Sequence, residues 1–71
     1  MIELVVNGRR VELQQETPLL DYLSSLGVEP RAVAVELNGR ILERSELAGA
    51  ALRAGDQVEI VRMVGGGRPR V

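Results

Sequence analysis

Few residues in this 71-residue chain could do chemistry by themselves. It has no His, Cys or Lys, and its ten acidic residues are spread one by one. Catalysis needs positioned acid–base pairs or nucleophiles, and neither a paired-carboxylate site nor a metal cluster is visible. No catalytic residue, no metal ligand and no bound cofactor are therefore expected, and the chain does not read as an enzyme. What stands out is the end: Met63-Val64 breaks into Gly65-Gly66-Gly67, followed only by Arg68-Pro69-Arg70-Val71. Each glycine loses more backbone entropy on ordering than any other residue, so a triplet after a strand-like run reads as an arm leaving a folded body. Lacking side chains, such an arm can enter a tunnel too narrow for anything else. The triplet alone also fits a frayed terminus. What precedes it favours the arm.

The body that must carry this arm is one small domain. Short chains bury a smaller fraction of their surface, and without Cys no disulfide or thiolate metal site can staple this one. Stability falls to Val, Leu and Ile, since Trp and Phe are absent too. Hydrophobic residues make up 45% and charged residues 27%, the balance of a folded globular domain rather than a disordered one. The net charge is −1, with nine arginines mixed among the acids, which argues against a nucleic-acid partner. No apolar run is long enough to cross a bilayer, and no charged-then-apolar leader opens the chain. A cytoplasmic location is the expectation.

Ile2 to Val6 alternates as a strand, Asn7-Gly8 turns it, and Arg10 to Leu13 returns. Asn7 and Gly8 read as turn chemistry rather than a phosphate loop. Thr17-Pro18 predicts a helix start, with Thr17 as N-cap and Pro18 at the first helical position. Leu19, Leu20, Leu23 and Leu26 form its apolar stripe, Tyr22 flanks that stripe with a wet hydroxyl, and Gly27 ends the helix. Arg31 to Leu37 predicts a third strand, Asn38-Gly39 a second tight turn, and Arg40 to Leu42 a short fourth strand. Ser45 could cap one helical turn through Leu47, with Leu52 anchoring the loop that follows. Gln57 to Met63 is the last strand: Val58 and Ile60 point one way, Glu59, Val61 and Met63 the other. The expected fold is α+β, one main helix on one face of a mixed sheet, with first and last strands parallel at its centre. That is a β-grasp, ubiquitin-like body over residues 1–64, with a flexible Gly-rich C-terminal tail over 65–71.

At this point the chain resembles the ubiquitin-like sulfur carrier proteins, most closely the ThiS family of thiamine biosynthesis. The resemblance covers Met1 to Gly67. It rests on the opening strand with Asn7-Gly8, on Thr17-Pro18-Leu19-Leu20-Asp21-Tyr22-Leu23 with Leu26-Gly27, on Val33 to Gly39, on Leu52 to Ile60, and on the close at Val64-Gly65-Gly66-Gly67. It implies that the carboxylate of Gly67 (alternatively Gly66) is adenylated with ATP by a ThiF-like adenylyltransferase. Sulfur then replaces AMP to give a thiocarboxylate, which a ThiG-like thiazole synthase accepts. Sibling carriers serve molybdopterin, tRNA thiolation or cysteine synthesis, and a ubiquitin-like binding module with no activated end is a further alternative.

The chain departs from the family by continuing four residues past Gly67. A tail-trimming peptidase could expose Gly67, the four residues could be a cloning remnant, or the chemistry could have been lost. For the partner-binding surface, Val5, Val61, Met63 and Val64 are expected on or beside the sheet face away from the helix, with Ala34 among them. An exposed apolar group on a small domain often marks an interface, although scattered surface aliphatics are also normal.

Overall fold

The structure, a computed structural model, describes residues 1–64, side chains through Met63, and the backbone of Arg68–Pro69. Its elements in order are β1 (Ile2–Val6), β2 (Arg9–Leu13), β3 (Thr17–Pro18), α1 (Leu19–Ser25), a 3₁₀ turn (Pro30–Ala32), β4 (Val33–Leu37), β5 (Arg40–Ile41), α2 (Arg44–Leu47), β6 (Ala51–Leu52), β7 (Gln57–Val64) and β8 (Arg68–Pro69). The main sheet runs β2-β1-β7-β4-β5. The outer hairpins and β4–β7 are antiparallel, while β1 and β7 are parallel at its centre, with Val5 opposite Gln57 and Val6 opposite Val58. Mixed sheet and single main helix match the expected β-grasp.

Alternation along the strands sends one set of side chains to the helix. Leu4, Val6, Val33, Val35 and Val58 are buried there against Leu19, Tyr22 and Leu23 of α1, and Leu42, Leu47 and Leu52 close the edges. Burying each such aliphatic side chain contributes on the order of 1.5–3 kcal/mol before chain entropy is set against it. The helical stripe differs from the expected one. Tyr22 belongs to the core, and Leu26 is half exposed. The helix is only two turns long, with Leu26 as its C-cap, so Leu26 falls past the last turn and is not buried with Leu19, Tyr22 and Leu23. Desolvation by burial raises the Tyr22 phenol above its ordinary value of 10.0.

Both helix starts also differ. Thr17 and Pro18 form β3, antiparallel to β6, with Thr17 opposite Leu52. Thr17 Oγ1 donates to the Gln15 carbonyl at 2.9 Å, so it does not cap the helix. The first helical amide, Leu19, donates instead to the Ala50 carbonyl at 2.9 Å. In α2 the N-cap is Glu43 rather than Ser45. The Glu43 amide donates to Glu46 Oε1 at 2.7 Å, half of a reciprocal capping arrangement. That bond and the neighbouring Arg40 hold the Glu46 carboxyl below its usual range. At the other end of α1 the expectation holds: Gly27 has φ +72, its amide donates to Ser24 and that of Val28 to Leu23, closing the Schellman pattern. Arg31 and Ala32, expected in a strand, lie in the 3₁₀ turn after Pro30. Beyond β7, the Arg68–Pro69 backbone pairs antiparallel with Met63–Val64, a pairing the residue types did not suggest.

Candidate functional site

The candidate site has two parts, the end of β7 and the sheet face away from α1. Gly65, Gly66 and Gly67 lie outside the described residues. Val64 is the last residue of β7. The strand that leads to them is held on both sides by the two turn asparagines. Asn7 and Asn38 have φ of 51 and 52, left-handed values that Asn tolerates and most residues do not. The Asn7 amide donates to the Val58 carbonyl at 2.9 Å. Its side chain then imitates one more strand residue: Oδ1 accepts from the Ile60 amide at 2.8 Å, and Nδ2 donates to the Ile60 carbonyl at 3.3 Å. On the opposite edge Asn38 Oδ1 accepts from the Gln57 amide at 2.8 Å, and Nδ2 donates to Asp56 Oδ1 at 3.0 Å. Asp56 Oδ2 in turn accepts from the Arg53 amide at 2.7 Å. Read from sequence as turn residues only, the two asparagines also clamp the start and middle of β7.

The outer face follows from the register. Val61 lies opposite Ala34, Glu59 opposite Glu36, and Ile41 of β5 opposite Glu36. Val5 faces the same way, opposite Gln57. The structure thus places Val5, Ala34, Val61 and Met63 on the expected face. Val61 is exposed at 44%, while Val5, Ala34 and Met63 are half-buried. Ile41, exposed at 69%, extends the apolar strip and was not singled out by sequence, because a two-residue strand has no periodicity to read. Among the described residues no three His, Cys, Asp or Glu side chains come together as a metal site, and no helix is long and apolar enough to cross a membrane.

A two-layer body with parallel strands β1 and β7 at the centre of its sheet and one sheet face left uncovered by α1 defines a ubiquitin-like β-grasp domain. The ThiS family model matches residues 2–67, and the chain belongs to that family. It is similar to the crystal structure of the thiamine biosynthesis protein ThiS from Geobacter metallireducens, 35% identical with a TM-score of 0.79 over 93% of this chain and 100% of that one. A solution structure of a thiamine biosynthesis protein from the same organism is 34% identical with a TM-score of 0.73, covering 99% and 94%. Among longer relatives, the thiazole synthase of Paramagnetospirillum magneticum is 39% identical over 66 residues, and that of Magnetococcus marinus 33% over 67. These matches take in 93% and 94% of this chain, which spans only 20% and 21% of the length of the two synthases.

Proposed function

We propose that this domain carries sulfur for the thiazole ring of thiamine and is not itself a catalyst. A peptidase hydrolyses the Gly67–Arg68 bond. The freed Gly67 carboxylate attacks ATP on a ThiF-like adenylyltransferase, forming an acyl-adenylate and releasing pyrophosphate. A sulfide-level sulfur donor (HS⁻) then attacks the acyl carbon and displaces AMP, leaving a thiocarboxylate that a ThiG-like thiazole synthase consumes in the cytoplasm. A carboxylate is a poor electrophile until AMP becomes its leaving group, and the carbon must reach into an enzyme. Gly65, Gly66 and Gly67 give a thin, uncharged approach to it. Val5, Ala34, Val61, Met63 and Val64 serve as the surface on which the adenylating partner docks.

The observation that carries this reading is the family match running through the last glycine, in a chain that has no His, Cys or Lys. A version ending at Gly67 is incubated with ATP, the adenylyltransferase and a sulfur donor, and intact mass is measured. A gain equal to one S-for-O exchange is expected. Unchanged mass with no pyrophosphate released would overturn the proposal. One observation favours a second reading, a binding module without an activated end: four residues follow Gly67. Only full-length chain recovered from the native host would establish it.

A further inference from the structure

The outer face carries a feature that folding does not require. Across β4–β7, Glu36 stands directly opposite Glu59, and across β1–β2, Glu3 stands opposite Glu12. Like charges directly opposite each other on a sheet are destabilising. Arg10 lies 3.9 Å from Glu3 and relieves that pair. Glu36 and Glu59 have no ion-pair partner among the described residues, where the arginines that pair do so with Glu3, Glu46 and Glu16. The two carboxylates line a surface depression of about 340 Å³, together with Val5, Gln57, Gly8 and Gly39. A Cβ added to either glycine would meet nothing within 4 Å, so the rims at both turns stand clear. Ile41 and Val61 sit beside the carboxylates and are exposed.

We propose that this depression receives an arginine or lysine side chain of the protein that docks on the outer face, with the cationic head between Glu36 and Glu59. The inference rests on the docking surface described above and deepens it by giving the partner's chemistry: a cation set within an apolar surface that covers Val61, Ala34 and Ile41. The argument is charge complementarity. Two facing carboxylates lower the stability of the free domain, and a guanidinium, with five donors in a planar fork, can bridge them. The same pair therefore weakens the domain alone and strengthens the complex, while repelling acidic surfaces that would compete for the face.

The unaltered chain and the double variant E36Q/E59Q are compared in thermal melts and in calorimetric titrations with the adenylyltransferase of the same host, at salt from about 0.05 to 0.5 M. The double variant should melt roughly 1–8 °C higher, bind about tenfold more weakly and lose most of the salt dependence of binding. A second pair, I41S/V61S, removes apolar area without changing charge. If I41S/V61S weakens binding and E36Q/E59Q does not, the face docks without the cation and only this inference falls. If neither pair changes affinity, the docking surface falls with it. Titration of labelled chain with Mg²⁺ alone covers the remaining occupant: NMR shifts confined to Glu36, Gln57 and Glu59 would assign the depression to a metal ion and overturn the proposal.

Discussion

Replacing Asn7 by Ala tests whether a turn residue holds the strand that leads to the proposed reactive end. Two side-chain hydrogen bonds to Ile60 are lost, one of 2.8 Å and one of 3.3 Å. Both are exposed, so each sits at the low end of the roughly 0.5–1.5 kcal/mol that a hydrogen bond contributes, about 1 kcal/mol together. Alanine at φ 51 adds about 1 kcal/mol of left-handed strain that asparagine largely escapes. The sum is about 2 kcal/mol. For a domain of this size each kcal/mol moves Tm by roughly 4–8 °C, so Asn7→Ala should melt about 8–16 °C lower. Asn7→Asp keeps the acceptor for the Ile60 amide and tolerates the φ, but places an oxygen against the Ile60 carbonyl. It should cost about half as much. Circular-dichroism melts give the global effect, and hydrogen exchange of the Ile60 amide gives the local one. A loss under about 0.5 kcal/mol for Asn7→Ala, with Ile60 still protected, would refute the clamp, because bonds of that size are not usually silent when a donor is left without its acceptor.

Two further outcomes follow from burial. Because the Tyr22 phenol is raised above 10.0 by desolvation, the folded chain keeps that proton at pH values where the unfolded chain loses it. Stability should therefore decline as pH rises past about 10. The chain has no Lys, Cys or His, so no other side chain titrates between about pH 9 and 11, and Tyr22→Phe should abolish the decline in alkaline melts; a decline that persists would refute the assignment. Leu23→Ala, at a fully buried position, should cost about 2–5 kcal/mol. Leu26→Ala, half exposed, should cost under about 1 kcal/mol in urea titrations, and equal costs would contradict the observed helix face.

Much of the body was legible because its signals are local. Asn7-Gly8 and Asn38-Gly39 announce hairpins, since few other residues tolerate their backbone angles. Val58 and Ile60 announce a face through simple alternation. Misreadings arose where a distant partner decides. Thr17-Pro18 has the residue types of a helix start, yet Leu52 and Ala51 lie across from it and make it a strand. Leu19, Leu20, Leu23 and Leu26 fit one helical stripe, but only the position of the sheet selects Tyr22 over Leu26. Glu36 and Glu59 are 23 positions apart in sequence, and nothing short of the strand register reveals that they face each other. The glycines at the heart of the proposed chemistry were read from sequence alone.

The route from body to end explains why this strand was suited to bear it. β7 is paired with β4 as far as Arg62, opposite Val33. It is paired with β1 only at Gln57 and Val58, and the Asn7 side chain carries that ladder on to Ile60. Past Arg62 neither neighbour continues, and the pairings left to Met63 and Val64 are those with Pro69 and Arg68. Proline has no amide to donate, and even a whole isolated two-stranded hairpin is only marginally stable in water. Removing residues 68–71 therefore disturbs no core contact among the described residues. Pairing with the main sheet thus ends at Arg62, three positions before Gly65, and only the short β8 ladder lies between it and the residues proposed to enter the enzyme.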